Sequence, residues 1–201
     1  FWQAMVAGGW GDRWTLFNLR IPSVIYLWAT ALMAGLLVRR VVVNSQSAYS
    51  GSLPSAEGTN RGVTEGAIAA IVFLSFFSTY RYGRPYLTSA PETFWLFGVF
   101  FAIAWSPARL LASRWKFPLV AGVAVGIGCL YKSFAMVAPV GLGLALCYQT
   151  IAARKAPWQI FRLGAVGDGF KVAGICALAL AVFGLWFALD PLPGEVWREF
   201  V

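Results

Sequence analysis

Six apolar stretches, at about residues 21–38, 66–80, 91–106, 117–131, 134–151 and 171–189, do most to fix what this chain can fold into. A helix crosses the hydrocarbon of a bilayer with about 20 apolar residues, or roughly 17 at the short end. The first, fifth and sixth stretches come close to that length. The third and fourth are short, so they need tilt, shelter from neighbouring helices, or extension by their polar flanks. Composition points the same way: 59% of the 201 residues are hydrophobic and 12% are charged, against about 25% charged in a soluble domain. Too little charge remains to cover a water-facing surface. The expected fold is an all-α integral membrane protein, a polytopic bundle of about six transmembrane helices within residues 21–189. Residues 1–20, aromatic and too short to span, are expected as an amphipathic segment in the outer interface. Residues 190–201 are expected to begin an external segment.

The charge balance is basic, with 16 Lys and Arg against 8 Asp and Glu. In a soluble chain that excess would suggest nucleic acid. Here the cations fall between apolar stretches, so they speak for membrane orientation and against a nucleic-acid partner. Arg39, Arg40 and Arg61 follow the first stretch, Arg109, Arg114 and Lys116 the third, and Arg154, Lys155 and Arg162 the fifth. If every stretch spans, these connections share one side, which the positive-inside rule makes cytoplasmic. The YRYGRPYLTSAPE turn, the turn at Lys132 and both chain ends then lie outside. Residues 44–64, rich in Ser and Gly, are expected as a flexible cytoplasmic loop. Because the chain opens on Phe1 and stops mid-pattern at EVWREFV, it is expected to be a piece of something longer.

Residue chemistry excludes several classes of site. With no His, neither a His-dependent triad nor a His-ligated metal can be built from this chain. Cys129, Cys147 and Cys176 lie in apolar stretches without CxxC spacing and are expected as small packing residues. There is no P-loop and no GxGxxG between strand and helix. Gly122 and Gly126, four residues apart, are expected to let two helix backbones approach.

Four charged residues stand where chemistry is possible. Arg81 and Arg84 interrupt the second and third stretches; they either snorkel to headgroups or hold a phosphate with the planar guanidinium fork. Glu92, behind Ser89 and Pro91, either favours a helix start through the dipole or lines a polar cavity as a metal ligand or a partner of Arg84. Lys132, in LYKSF, has almost no loop around it. An ionisable group so placed binds an anion in a cavity, pairs structurally, or snorkels. Asp190, Glu195 and Glu199 read as ordinary interfacial charges.

The order of these motifs resembles a known family. NLRIPSVIYLWATALMAGLLV, IVFLSFFSTYRYGRPYLTSAPETFW, LVAGVAVGIGCLYKSFAMVAPVGLGLAL and DPLPGEVWREFV are similar, in sequence, to segments of bacterial GT-C-fold glycosyltransferases. These use polyprenyl-phosphate sugars; the aminoarabinose transferase that modifies lipid A and the protein O-mannosyltransferases are the nearest likenesses. The resemblance covers nearly the whole chain. It implies a membrane glycosyltransferase in the bacterial cytoplasmic membrane, with its active site facing outward. The donor would be a polyprenyl-phosphate-linked sugar and the acceptor a lipid or protein. Arg81, Arg84, Tyr86 and Lys132 are the implied substrate-binding residues. The family's Asp-Glu pair lies in an external loop upstream of anything here, so the catalytic acids, and any divalent ion (Mg, Mn or Zn) they hold, are expected mainly outside this chain. Glu92 is the catalytic candidate within it. The sequence departs from the family pattern at Ala90, where an Asp is common, and at Ser133, where LTKG has become LYKS. The alternative reading is a transporter or flippase for an anionic lipid or solute, which would use the same outward cations.

Overall fold

The computed structural model describes residues 16–50, 56–79, 89–107, 113–131, 134–148, 166–189 and 194. Every regular element among them is helical. In chain order these are α1 (Leu16–Ser50), α2 (Ala56–Thr79), α3 (Ser89–Trp105), α4 (Lys116–Leu130), a single 3-10 turn (Phe134–Met136), α5 (Val137–Cys147) and α6 (Val166–Leu189). The chain divides into two compact units, Phe1–Phe94 and Trp95–Val201, with the division falling inside α3.

In the first unit α1 and α2 form a long antiparallel pair. A Cβ on Gly35 would lie 2.7 Å from the Gly66 carbonyl oxygen, and one on Gly66 would lie 2.6 Å from that of Gly35. Farther along, Gly62 meets Val43 and the Arg39 carbonyl. Contacts that advance on one helix retreat on the other, which defines the antiparallel sense. The close approach corrects the expected loop at residues 44–64. Residues 44–50 continue α1 and residues 56–64 open α2. Three of the polar side chains there are satisfied within their own helix. Ser45 Oγ donates to the Val42 carbonyl, Thr64 Oγ1 to the Asn60 carbonyl, and Arg61 Nε to Glu65 Oε1 at 2.9 Å.

The second unit has an up-down-up order. Gly122 meets Ile175 and Leu178 on α6, and Gly126 meets Ala179 and Val182. Contacts advance together, so α4 and α6 are parallel, and the four-residue glycine spacing sets their approach as expected. Between them α5 runs the other way: Phe134 faces Phe183, Gly141 faces Cys176, and Tyr148 lies beside Lys171. Val99, Ile103, Val125, Leu144, Ile175 and Ala179 pack the core. Cys129 is fully buried and Cys147 and Cys176 are partly so, none of them in a disulfide, in keeping with a packing role.

Among the described residues, two helices are long and apolar enough to cross a membrane, over Ile21–Gln46 and Asp168–Leu189, with mean hydropathies of 1.9 and 2.4. α3, α4 and the Phe134–Cys147 segment are shorter apolar helices. The fifth stretch, expected to approach a full span, is thus divided into a 3-10 turn and an 11-residue helix. The first grows instead, to 35 residues. At 1.5 Å per residue, α1 is about 50 Å long, well beyond the roughly 30 Å hydrocarbon thickness. It also begins at Leu16, inside the segment expected to lie in the interface.

Candidate functional site

Of the residues marked out by sequence, Glu92 falls among those described; Arg81, Arg84, Tyr86 and Lys132 lie outside the described residues. Glu92 occupies the first turn of α3, where the exposed N–H groups favour a carboxylate. Pro91 stands just before it, in the turn where the missing N–H costs nothing. Glu92 is only 4% exposed, with Ala90 and Pro91 buried beside it. A buried carboxylate is costly unless its surroundings compensate, so the placement is more demanding than that of a surface capping residue.

The neighbourhood of Glu92 can be followed one step further. Phe94, two residues on, meets Tyr26 of α1 with ring centres 5.1 Å apart. Ser23, Tyr26 and Thr30 share one face of α1 by helical spacing, and Ser23 and Thr30 are the other buried polar side chains among the described residues. Thr30 is satisfied within its own helix, donating from Oγ1 to the Tyr26 carbonyl at 2.8 Å. A polar strip on α1 therefore lies close to the turn that carries Glu92. No group of three or more His, Cys, Asp or Glu gathers to hold a metal among the described residues. The described donor set does not by itself fit a divalent ion.

A second feature, at the entry of α4 and α6, was not anticipated. Arg114, Trp115, Pro118 and Leu119 on one side, with Phe170, Lys171, Gly174 and Leu178 on the other, line a cavity of about 370 Å³. That lies within the size range of small-molecule pockets. Local bonds set its walls. Ser113 Oγ accepts from the Phe117 N–H at 3.2 Å and so secures the start of α4. Lys171 Nζ donates to Asp168 Oδ1 at 3.1 Å, one turn apart on α6, and stands 5.4 Å from the centre of the buried Tyr148 ring. Its position is held from two directions. Gly174 is exposed, and a Cβ there would meet nothing within 4 Å. This glycine therefore leaves space open, unlike Gly122 and Gly126, which close it.

No protein-family model, no curated protein and no solved structure matches the chain.

Some of these features had signals in the sequence. Gly62 and Gly66 repeat the four-residue spacing of Gly122 and Gly126, but polar neighbours disguised it. The Asp168–Lys171 pair has the i,i+3 spacing of neighbours on one helix face. Nothing local marks Gly174, because its role depends on which helix lies opposite.

Proposed function

We propose that this chain works within a membrane as a glycosyltransferase. It moves a sugar from a polyprenyl-phosphate donor to a lipid or protein acceptor at the outer face of the bacterial cytoplasmic membrane. The observation that carries the membrane half is the outward placement of large apolar side chains. Trp28 and Leu32 on α1, Ile71 on α2, Leu142 on α5 and Leu185 on α6 are each more than 60% exposed. An apolar surface of that extent is stable against lipid and a liability in water. In this reading the shorter helices also span, and the bundle has about six crossings. The transferase half rests on the order and spacing of the sequence motifs that resemble GT-C enzymes.

The mechanism follows from those residues. The donor enters sideways from the bilayer, and Arg81, Arg84 and Lys132 hold its phosphate with Tyr86 alongside. A carboxylate takes the proton of the acceptor hydroxyl, or an acceptor phosphate attacks directly. A bond forms to the anomeric carbon as the bond from that carbon to the phosphate oxygen breaks, and polyprenyl phosphate leaves. Glu92 is the buried carboxylate on the same segment as the two arginines, and it is assigned here to positioning or deprotonating the acceptor.

The test is sugar transfer from a polyprenyl-phosphate donor by the whole enzyme, with thermal stability measured in parallel. Replacing Arg81 or Arg84 with Ala should weaken donor use by about ten- to a hundred-fold, the equivalent of one charge-assisted hydrogen bond. Lys should restore only part of that, since an ammonium cannot reproduce the fork. Near-normal transfer by both Ala variants at limiting donor would remove the arginines from the site. Movement of an intact anionic lipid across liposomes, with no sugar transferred, would favour a flippase instead.

A further inference from the structure

We infer that the cavity between the entries of α4 and α6 is a binding site for one anionic phospholipid, with an acyl chain in the cleft and the phosphate at Arg114. The inference rests on the membrane reading and is independent of the transferase reading.

Both walls are amphipathic in the same direction. Arg114, two residues before α4, and Lys171, in the second turn of α6, are cationic, while Leu119 and Leu178 farther along each helix are apolar. Because α4 and α6 are parallel, the two cationic ends lie at one level rather than at opposite ends of the cleft. Trp115 and Phe170, 67% and 73% exposed, flank the mouth, and aromatic rings at that position suit the headgroup boundary. Lys171 is tied to Asp168 and to the Tyr148 ring. Arg114 is exposed and makes no ion pair among the described residues. Its guanidinium fork is thus the group best placed to take a phosphate, a geometry that Arg serves better than Lys. Lys116 lies two residues beyond and adds positive charge at the same end.

Gly174 supplies the room. It sits in a membrane-length helix and has no close packing partner, so helix packing does not require a glycine there. It lines the cavity, and its missing side chain leaves open space there. A phosphate alone would use Arg114 but leave the apolar cleft unfilled. A lipid without an anionic headgroup would fill the cleft but leave Arg114 unanswered. An anionic phospholipid matches both.

The test measures retained lipid by native mass spectrometry of the full chain in detergent micelles. Phosphatidylglycerol is titrated against phosphatidylcholine, with inorganic phosphate as competitor. The expected result is one tightly held phosphatidylglycerol, preferred over phosphatidylcholine by roughly ten-fold or more and not displaced by millimolar phosphate. Arg114→Gln should abolish the preference while leaving weak binding of both lipids. Gly174→Leu should reduce binding of both by filling the cleft, without loss of thermal stability, since its side chain grows into open space. Equal retention of the two lipids, or retention unchanged in Gly174→Leu, would overturn the proposal in favour of a non-specific lipid belt. Displacement by inorganic phosphate at similar concentration would overturn it in favour of a free-anion site. A chain that leaves the membrane in an alkaline carbonate wash would instead count against the membrane reading itself.

Discussion

Gly126 meets Val182 so closely that a Cβ on the glycine would stand 2.7 Å from the Val182 Cβ. Gly122 stands in the same relation to Leu178, at 2.9 Å. These two contacts hold α4 and α6 at a separation that no larger residue permits. In the membrane setting proposed above, lipid supplies no hydrophobic drive for pairing two helices, so close backbone approach and side-chain contact do so.

Gly126→Val should therefore destabilise the second unit by about 1–3 kcal/mol, the usual cost of overpacking. Gly98→Ala is the control. Gly98 also lies in an apolar helix, but a Cβ there meets nothing within 4 Å. It should be neutral or stabilising by up to about 1 kcal/mol, from helix propensity alone. Thermal unfolding in one detergent compares the two; equal losses would mean that the α4–α6 contact is not the determinant.

Gly35 and Gly66 face each other backbone to backbone, so neither neighbour can swing aside as a side chain could. Gly66→Ala should force α1 and α2 apart and lower the melting temperature more than Ala69→Gly. The latter removes a partly exposed methyl and costs only propensity, about 1 kcal/mol. The reverse ranking would contradict the antiparallel glycine contact.

Glu92→Gln keeps the shape of the side chain and removes its charge. Loss of the favourable interaction with the start of α3 alone should cost about 0.3–1 kcal/mol. With the role assigned here, sugar transfer should fall at least ten-fold while the melting temperature moves little. Unchanged transfer would leave Glu92 as a helix-start residue only.

How much of this was legible beforehand differs between the two units. In the second, the alternation of apolar stretches with short polar breaks gave α4 to within a residue at each end and the end of α6 at Leu189, while α6 begins five residues before the apolar stretch, at Val166, because hydropathy does not mark its polar first turn. Gly122 and Gly126 announced their packing through spacing. In the first unit the polar residues 44–50 and 56–64 hid two helix ends. Ser, Thr, Asn and Gly favour turns when nothing opposes them, but here Gly62 and Gly66 dock against α1 and the hydroxyls bond back within the helix. Tertiary contact outweighed local preference. The candidate site was legible as residue types. Glu92 could be read as the opening carboxylate of a helix, yet its burial is a property of the folded chain that no local pattern marks. The cavity at Gly174 depends on α4 and α6 being parallel, which single-stretch reading does not supply.

Tyr148 offers a narrower test. Its ring is buried and its hydroxyl has no hydrogen-bond partner among the described residues. Tyr148→Phe should thus be neutral or stabilising by up to about 1 kcal/mol, since a buried hydroxyl without a partner carries a desolvation cost. A loss greater than 1 kcal/mol on thermal unfolding would mean that the hydroxyl is satisfied by a group outside these helices.

In the proposed membrane orientation, the parallel sense of α4 and α6 puts Ser113 and Gly169 on one side, the side that the positive-inside rule assigns to the cytoplasm. Ser113→Cys and Gly169→Cys should both resist a membrane-impermeant thiol reagent added from outside, while a cysteine at position 87 reacts. Labelling of only one of the first two would break the parallel arrangement, and labelling of both would invert the orientation.

The central claim is that the outward apolar faces lie in lipid, and carbene labelling of the protein in liposomes tests it most directly. A membrane-partitioned diazirine probe is activated by light, and the labelled residues are mapped by peptide mass spectrometry. Leu142 and Leu185, 65% and 63% exposed, should be labelled heavily, and the fully buried Leu144 and Ile175 hardly at all. Little labelling of Leu142 and Leu185, or labelling no heavier than that of Leu144 and Ile175, would contradict a membrane-embedded bundle with these faces turned to lipid.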